Sequence, residues 1–319
     1  MPERKKNNMR IVFMGTPDFA VPTLEALVNG GHRVLAAVTQ PDRPKGRGKA
    51  VQMPPVKEKA LEYSIPVLQP EKARDPEFAE TLRKLEPEAI VVVAFGQILP
   101  GAILDIPKYG CINVHASLLP KYRGAAPIQW AVINGEKESG VTTMLMNEGL
   151  DTGDILETAV VPLDAKETGG SLFDKLSRLG GELILSTLKG LEEGTVSRKE
   201  QGEATTPYAR MLTKSMGEID WSMEAEQIER LIRGLNPWPS AYTWFGGKTL
   251  KIWSADVLEG GISEQPGLVH AEKDRLLVET GKGILSISEL QLEGKKRMDA
   301  AAFLRGFQIP GGSRFEARK

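Results

Sequence analysis

An open, mostly parallel α/β sheet followed by a small antiparallel β-barrel is the architecture this sequence predicts, on three observations. From Arg10 onward, short apolar runs alternate with amphipathic runs in a βαβα rhythm, as a parallel sheet covered on both faces requires. Beyond residue 240 the texture changes to short alternating segments at regular spacing with Gly-rich turns, the pattern of a small barrel. The length agrees, because 319 residues with 41% hydrophobic and 26% charged side chains are enough for two domains.

In the first region the buried-strand runs fall over 10–14, 34–39, 89–94, 111–115 and 140–146. Amphipathic helices are expected over 20–29, 56–63, 77–85, 128–133 and 172–191. The last carries Leu172, Leu176, Leu179, Leu183 and Ile184 at helical spacing and closes the region. A polar stretch over 195–206 has no sustained periodicity and reads as a linker. One more helix, over 224–233, is stopped by Asn236-Pro237-Trp238-Pro239. Strands over 241–245, 249–256, 267–270, 276–280 and 285–292 then form the barrel. Residues 1–8, polar and carrying Arg4, Lys5 and Lys6, are expected to be a disordered leader.

A formal net charge of −1 gives no global attraction to nucleic acid, so any such partner must be held by local patches. The lone Cys111 excludes an internal disulfide and a thiolate metal cluster, which fits a reducing, cytoplasmic location. No run approaches the roughly 20 apolar residues that cross a bilayer, and no signal core is evident, so no membrane partner is expected.

The chemistry concentrates in the run from Cys111 to Gly124. Side chains alternate across a strand, so Asn113 and His115 project from one face while Ile112 and Val114 project from the other. An amide donor and an imidazole thus converge where the strand ends, at the rim at which open α/β sheets bind ligands. Of the 3 histidines, His32 lies in a helix-to-strand turn and His270 in a C-terminal strand, without comparable neighbours. Taken singly, a strand His or a strand-end Asn is more often structural; together on one face they read as a site.

The first βα turn, Met14-Gly15-Thr16-Pro17-Asp18, fails the dinucleotide fingerprint because Pro17 stands where the second Gly must let pyrophosphate approach. No dinucleotide cofactor is expected. The segment from Gln40 to Lys49 carries four cations and one carboxylate without an apolar anchor. A charge run is by default a solvated surface, but this one leaves the ligand-binding end of the sheet and is expected as a mobile loop that reaches for phosphates. Downstream, Asn147 to Asp154 offers three carboxylates in a Gly-containing turn without calcium-loop spacing. Asp151 is the carboxylate expected beside His115, since the turn has just left an apolar strand and returns over the same rim; Glu148 and Asp154 read as solvent-facing. No nucleophile elbow, zinc helix or Walker loop is present. An amide, an imidazole and a carboxylate without a protein nucleophile suit attack by an external amine on a bound acyl carbon.

These residues carry a likeness. The run Asn113 to Gly124, the turn Gly149-Leu150-Asp151-Thr152-Gly153-Asp154 and the opening Phe13 to Phe19 resemble the 10-formyltetrahydrofolate-dependent formyltransferase family, and the likeness covers nearly the whole chain from Met9. The basic segment and Asn236-Pro237-Trp238-Pro239 are similar, more narrowly, to members that formylate methionine carried on initiator tRNA. The resemblance implies a Rossmann-like catalytic domain over 9–194, a linker over 195–214 and an OB-like tRNA-binding domain over 215–319. It implies Asn113, His115 and Asp151 as the catalytic trio. Ser117, Leu118, Leu119 and Pro120, with Phe95, Gly96 and Ile98, would form the folate site; Arg43, Lys45, Arg47 and Lys49 would contact tRNA. It further implies 10-formyltetrahydrofolate as co-substrate, no metal, initiator methionyl-tRNA as partner and a monomeric state. The C-terminal region is close to charge-balanced, so tRNA contact there is confined to one face. Two other readings stay open at this point: formylation of an amino sugar nucleotide, against which the cation-rich loop argues, and a non-catalytic RNA-binding module.

Overall fold

The computed structural model describes residues 8–45 and 50–316. All of the expected leader but Asn8, and residues 46–49 of the basic segment, lie outside the described residues. In chain order the elements are β1 (Arg10–Gly15), α1 (Val21–Asn29), β2 (Arg33–Val38), β3 (Arg43–Lys45), β4 (Ala50–Gln52), α2 (Pro55–Glu62), β5 (Val67–Leu68), α3 (Pro76–Leu85), β6 (Ala89–Val93), α4 (Gly101–Leu104), β7 (Cys111–His115), α5 (Pro127–Ile133), β8 (Glu138–Leu145), β9 (Asp154–Pro162) and α6 (Gly169–Glu193). They continue as α7 (Ala225–Gly234), β10 (Ala241–Phe245), β11 (Lys248–Ile262), β12 (Val269–Ala271), β13 (Leu276–Glu279), β14 (Lys282–Leu292), β15 (Met298–Asp299) and α8 (Ala300–Gly306). Two compact units result. One holds 1–124, 138–162 and 173–209; the other holds 125–137, 163–172 and 210–319.

The first unit is a Rossmann-like seven-stranded sheet of order β5-β2-β1-β6-β7-β8-β9, parallel through β7 and antiparallel at β8 and β9. Strands covered on both faces must be apolar at every position, and β6, Ala89-Ile90-Val91-Val92-Val93, is buried throughout. Helix α3 shows why the flanking layers form. Pro76 opens its first turn, Arg83 and Lys84 complement the dipole of its last, and Phe78, Ala79 and Leu82 make one buried stripe. Strand order reverses at β1, with β2 on one side and β6 on the other. The carboxyl ends of β1 and β6 therefore flank the switch-point crevice, one strand away from the end of β7.

Besides the short elements β5 and α4, three larger features here escape the sequence pattern. Strand β9 was not expected, because its first residue, Asp154, reads as the end of the acidic turn and its later positions alternate between half-buried and exposed, as an edge strand allows. The segment expected as a mobile loop contains an ordered base: Arg43–Lys45 pairs antiparallel with Ala50–Gln52. And the polar stretch read as a linker is tied down, since Ile155 and Lys199 exchange both backbone hydrogen bonds, at 2.7 and 2.9 Å.

The second unit is an antiparallel sheet of order β10-β11-β14-β13-β12, with β15 on β14. Alternate residues of its strands, among them Leu250, Ile252, Val278, Leu285 and Ile287, meet Ile228 and Ile232 of α7 and Phe303 of α8 in one core. Helix α7 starts at a reciprocal cap between Glu224 and Gln227. Instead of pairing directly as a barrel would require, the edge strands share one segment: Glu316 exchanges two 3.0 Å bonds with Trp244 of β10, and Val269 of β12 donates to Ser313 at 2.9 Å. The same segment lies so close to Gly267 (φ +86°) that a Cβ there would stand 2.6 Å from the Phe315 carbonyl oxygen.

Candidate active site

His115 ends β7 and is almost fully buried, at 7% exposure. Its Nε2 lies 3.0 Å from the Tyr122 carbonyl oxygen. A carbonyl can only accept, so Nε2 carries a proton and the other ring nitrogen, Nδ1, faces Asp151 Oδ1 at 3.7 Å. That gap is longer than a hydrogen bond and leaves Nδ1 open to a third group. Asn113, two residues earlier on the same face of β7, is half-buried, and no described residue hydrogen-bonds its amide.

Asp151 is held from several sides. Its backbone is left-handed (φ 54°), as is that of Tyr122 (φ 55°), a conformation non-glycine residues take only when neighbours over-determine it. Its Oδ2 accepts the Gly124 N–H at 2.9 Å. The Tyr122 N–H in turn donates to Thr206 Oγ1 at 2.7 Å, so the 122–124 turn that presents the carbonyl to His115 is fixed by the chain over 201–209. Thr142, opposite His115 on β8, donates to the Ser117 carbonyl at 2.7 Å and accepts the Leu119 N–H at 3.1 Å, fastening the exit from β7.

The residues expected around the folate divide. Phe95 and Leu119 are buried, Gly96 (φ 84°) and Ile98 are exposed, and Leu118 and Pro120 are half-buried. The Ser117 hydroxyl is used internally, donating to the Lys121 carbonyl at 2.7 Å. The Phe95 carbonyl, at the switch-point crevice, accepts from Thr16 Oγ1 at 3.2 Å and Gln40 Nε2 at 3.1 Å. Of the basic residues, Arg43 is exposed on β3 beside Gln40 Oε1 at 3.4 Å, and Lys45 ends the same strand, while Arg47 and Lys49 lie outside the described residues. Asp42 anchors this ribbon through Lys57 Nζ (2.7 Å) and Gln69 Nε2 (2.8 Å).

The other two histidines sit differently. His32, before β2, has a buried Nδ1 without a hydrogen-bond partner, and desolvation pushes its pKa down against an opposing pull from Glu192. His270 is half-exposed and bonded to Glu279 at 2.8 Å. Burial also raises the Cys111 thiol to about 12, leaving it an inert core side chain. Sequence reasoning missed the Tyr122 carbonyl, Thr142 and Gln201. Thr142 alone had a signal, as a polar residue in the apolar run of β8; backbone groups and a residue in an aperiodic stretch give none.

An imidazole, a carboxylate and an open amide at the carboxyl rim of a Rossmann-like sheet, followed by an antiparallel unit, define an α/β group-transfer protein. The chain belongs to the formyl transferase family: the model "Formyl transferase" matches residues 9–188 and "Formyl transferase, C-terminal domain" matches 211–308. Among its relatives, methionyl-tRNA formyltransferase of Lachnospira eligens is 58% identical over 311 residues, covering 95% of this chain and 98% of its own. Methionyl-tRNA formyltransferase of Geobacter sulfurreducens is 52% identical, covering 96% of each. Among solved structures, the sugar 3N-formyl transferase WlaRD, crystallised in the presence of dTDP and 5-N-formyl-THF, shares the fold with a TM-score of 0.64 at 18% identity, over 90% of this chain and 99% of its own.

Proposed function

We propose that this chain transfers the formyl group of 10-formyltetrahydrofolate to the α-amino group of methionine on initiator methionyl-tRNA, giving formylmethionyl-tRNA for translation initiation. The names of the relatives that match it end to end support this choice of donor and acceptor. The single observation that carries the chemistry is the His115–Asp151 pair at the sheet rim, beside an Asn113 amide that no described residue occupies.

The methionyl amine attacks the formyl carbon, and the carbonyl oxygen becomes an oxyanion. Asn113 donates to that oxyanion through its amide. His115 donates through Nδ1–H when protonated, because Nε2–H is already committed to Tyr122. Asp151 sits on the Nδ1 side, where it stabilises the imidazolium and accepts the proton the amine loses, directly or through water. Collapse of the tetrahedral intermediate breaks the bond to N10 of tetrahydrofolate, which leaves with a proton. Phe95, Gly96 and Ile98 at the switch-point crevice, with the turn from Ser117 to Pro120, form the folate site in this reading; Arg43, Lys45, Arg47 and Lys49 contact tRNA phosphates. The protein acts as a cytoplasmic monomer with 9–194 as catalytic domain, 195–214 as linker and 215–319 as tRNA-binding domain.

The test is an acceptor assay with the purified chain and 10-formyltetrahydrofolate. Formylation of methionyl-tRNA and not of an amino sugar nucleotide is expected; transfer to the sugar alone, or to neither, overturns the reading.

A further inference from the structure

We propose that Gln201 is a positioning residue for Asp151: its side-chain amide clamps the turn that carries the carboxylate, in the stretch between the two family-matched regions. The inference rests on the role given to Asp151 above. Gln201 Nε2 donates to the Asp151 carbonyl at 3.0 Å and to the Gly153 carbonyl at 2.6 Å. Its Oε1 accepts from Arg123 Nε at 3.1 Å and Nη2 at 2.9 Å, and Arg123 Nη2 also reaches the Gly202 carbonyl at 2.8 Å. Two donors meet two carbonyls and one acceptor meets a guanidinium fork, so the partners dictate the amide's orientation.

Only an amide satisfies this arrangement. A carboxylate at 201 would keep Arg123 with one oxygen but turn the other, which has no hydrogen to donate, toward the carbonyls of 151 and 153; a small apolar side chain would leave the two carbonyls and the guanidinium without their partner here. The backbone delivers the amide to this spot, because the Ile155–Lys199 pair runs the chain antiparallel to the start of β9 and brings residue 201 level with residue 153. Arg123 and Gly124 are consecutive, and Gly124 N–H donates to Asp151 Oδ2. The clamp therefore holds Asp151 at its carbonyl and, through Arg123, the neighbour that holds its carboxylate. The left-handed backbone of Asp151 (φ 54°) needs such over-determination to persist. A displacement of about 1 Å at a reacting group can cost on the order of 100-fold in rate.

The test compares Gln201→Glu and Gln201→Ala with the parent full-length chain, using two readouts: hydrogen exchange of the Gly124 amide, and steady-state formyl transfer to methionyl-tRNA. In Gln201→Glu the Gly124 amide is expected to exchange about 10-fold faster and kcat to fall about 10- to 100-fold, with KM for the formyl donor little changed. Gln201→Ala should move both readouts in the same direction, and it carries the test if the Glu variant does not fold. A residue that merely anchored the segment to Arg123 would tolerate Glu, which forms an ion pair there. Normal exchange and normal turnover in Gln201→Glu overturn the inference alone, as does lost turnover with Gly124 protection intact. Faster exchange with unchanged turnover instead removes Asp151 from the reaction, and the positioning role falls with it.

Discussion

Two histidines of almost equal burial, His115 at 7% and His32 at 9%, sit at opposite ends of the same sheet and show what burial alone does not reveal. At the carboxyl end, His115 has a carbonyl on one nitrogen and a carboxylate facing the other, each held by chain segments remote in sequence. At the amino end, His32 has a buried Nδ1 with no hydrogen-bond partner and a lowered pKa. Strand direction explains the difference: every parallel strand sends its exit loop to the carboxyl end, so polar groups from β1, β2, β6 and β7 accumulate there. Partners, not depth, mark the functional residue.

The sharpest way to break the comparison is to truncate the carboxyl-end groups. Asn113→Ala and His115→Ala are each expected to lower kcat about 100-fold or more, near 3 kcal/mol in the barrier, while the melting midpoint stays within a few degrees. Near-normal turnover in both would reduce the rim to a structural feature. The reciprocal experiment is Ile11→Ala on β1, near the amino end, where the side chain is fully buried. It should cost about 3 kcal/mol of stability, read from chemical denaturation, and leave kcat per folded molecule unchanged. A matching loss of kcat would show that the two ends are not separable.

How far the sequence announced this contrast depends on the kind of residue. Asn113 and His115 were legible because a strand's two-residue period places them on one face whatever the packing. Asp151 was legible among three acidic residues because its turn leaves an apolar strand and returns over the same rim, but the Gly124 N–H that holds its carboxylate from 27 residues away was not. Gln201 was invisible, since it acts through carbonyls of a turn and belongs to no periodic element. The parallel strands other than the two-residue β5 could be read from their apolar runs, whereas β9, whose later positions alternate between half-buried and exposed, could not be separated from the turn before it. The basic segment looked like a free loop because the β3–β4 pairing rests on backbone bonds, which side-chain chemistry does not announce.

That segment leaves the carboxyl end as well, just after β2, and offers a milder test of the comparison. Neutralising Arg43, Lys45, Arg47 and Lys49 together should weaken tRNA binding and lower the magnitude of the slope of log affinity against log salt by up to about 3.5, since each phosphate contact contributes roughly 0.7–0.9. The steady-state kcat at saturating tRNA should hardly move. An unchanged slope would return the segment to a solvated surface.

The smallest expected effect comes from His32, and it tests the amino end in its own terms. Burial disfavours the imidazolium there, so the folded chain takes up that proton less readily than the unfolded chain. Above the ordinary histidine value of about 6.5 both states are neutral at this residue and no penalty applies. As the pH falls below that value the unfolded state protonates first, and stability declines until the folded-state pKa is passed. Unfolding midpoints at pH 7.5 and 5.5 should therefore differ more in the parent than in His32→Gln, in which residue 32 no longer titrates. Equal differences would mean that His32 finds a proton-bound partner on folding, and the contrast between the two ends of the sheet would have to rest on His115 and Asp151 alone.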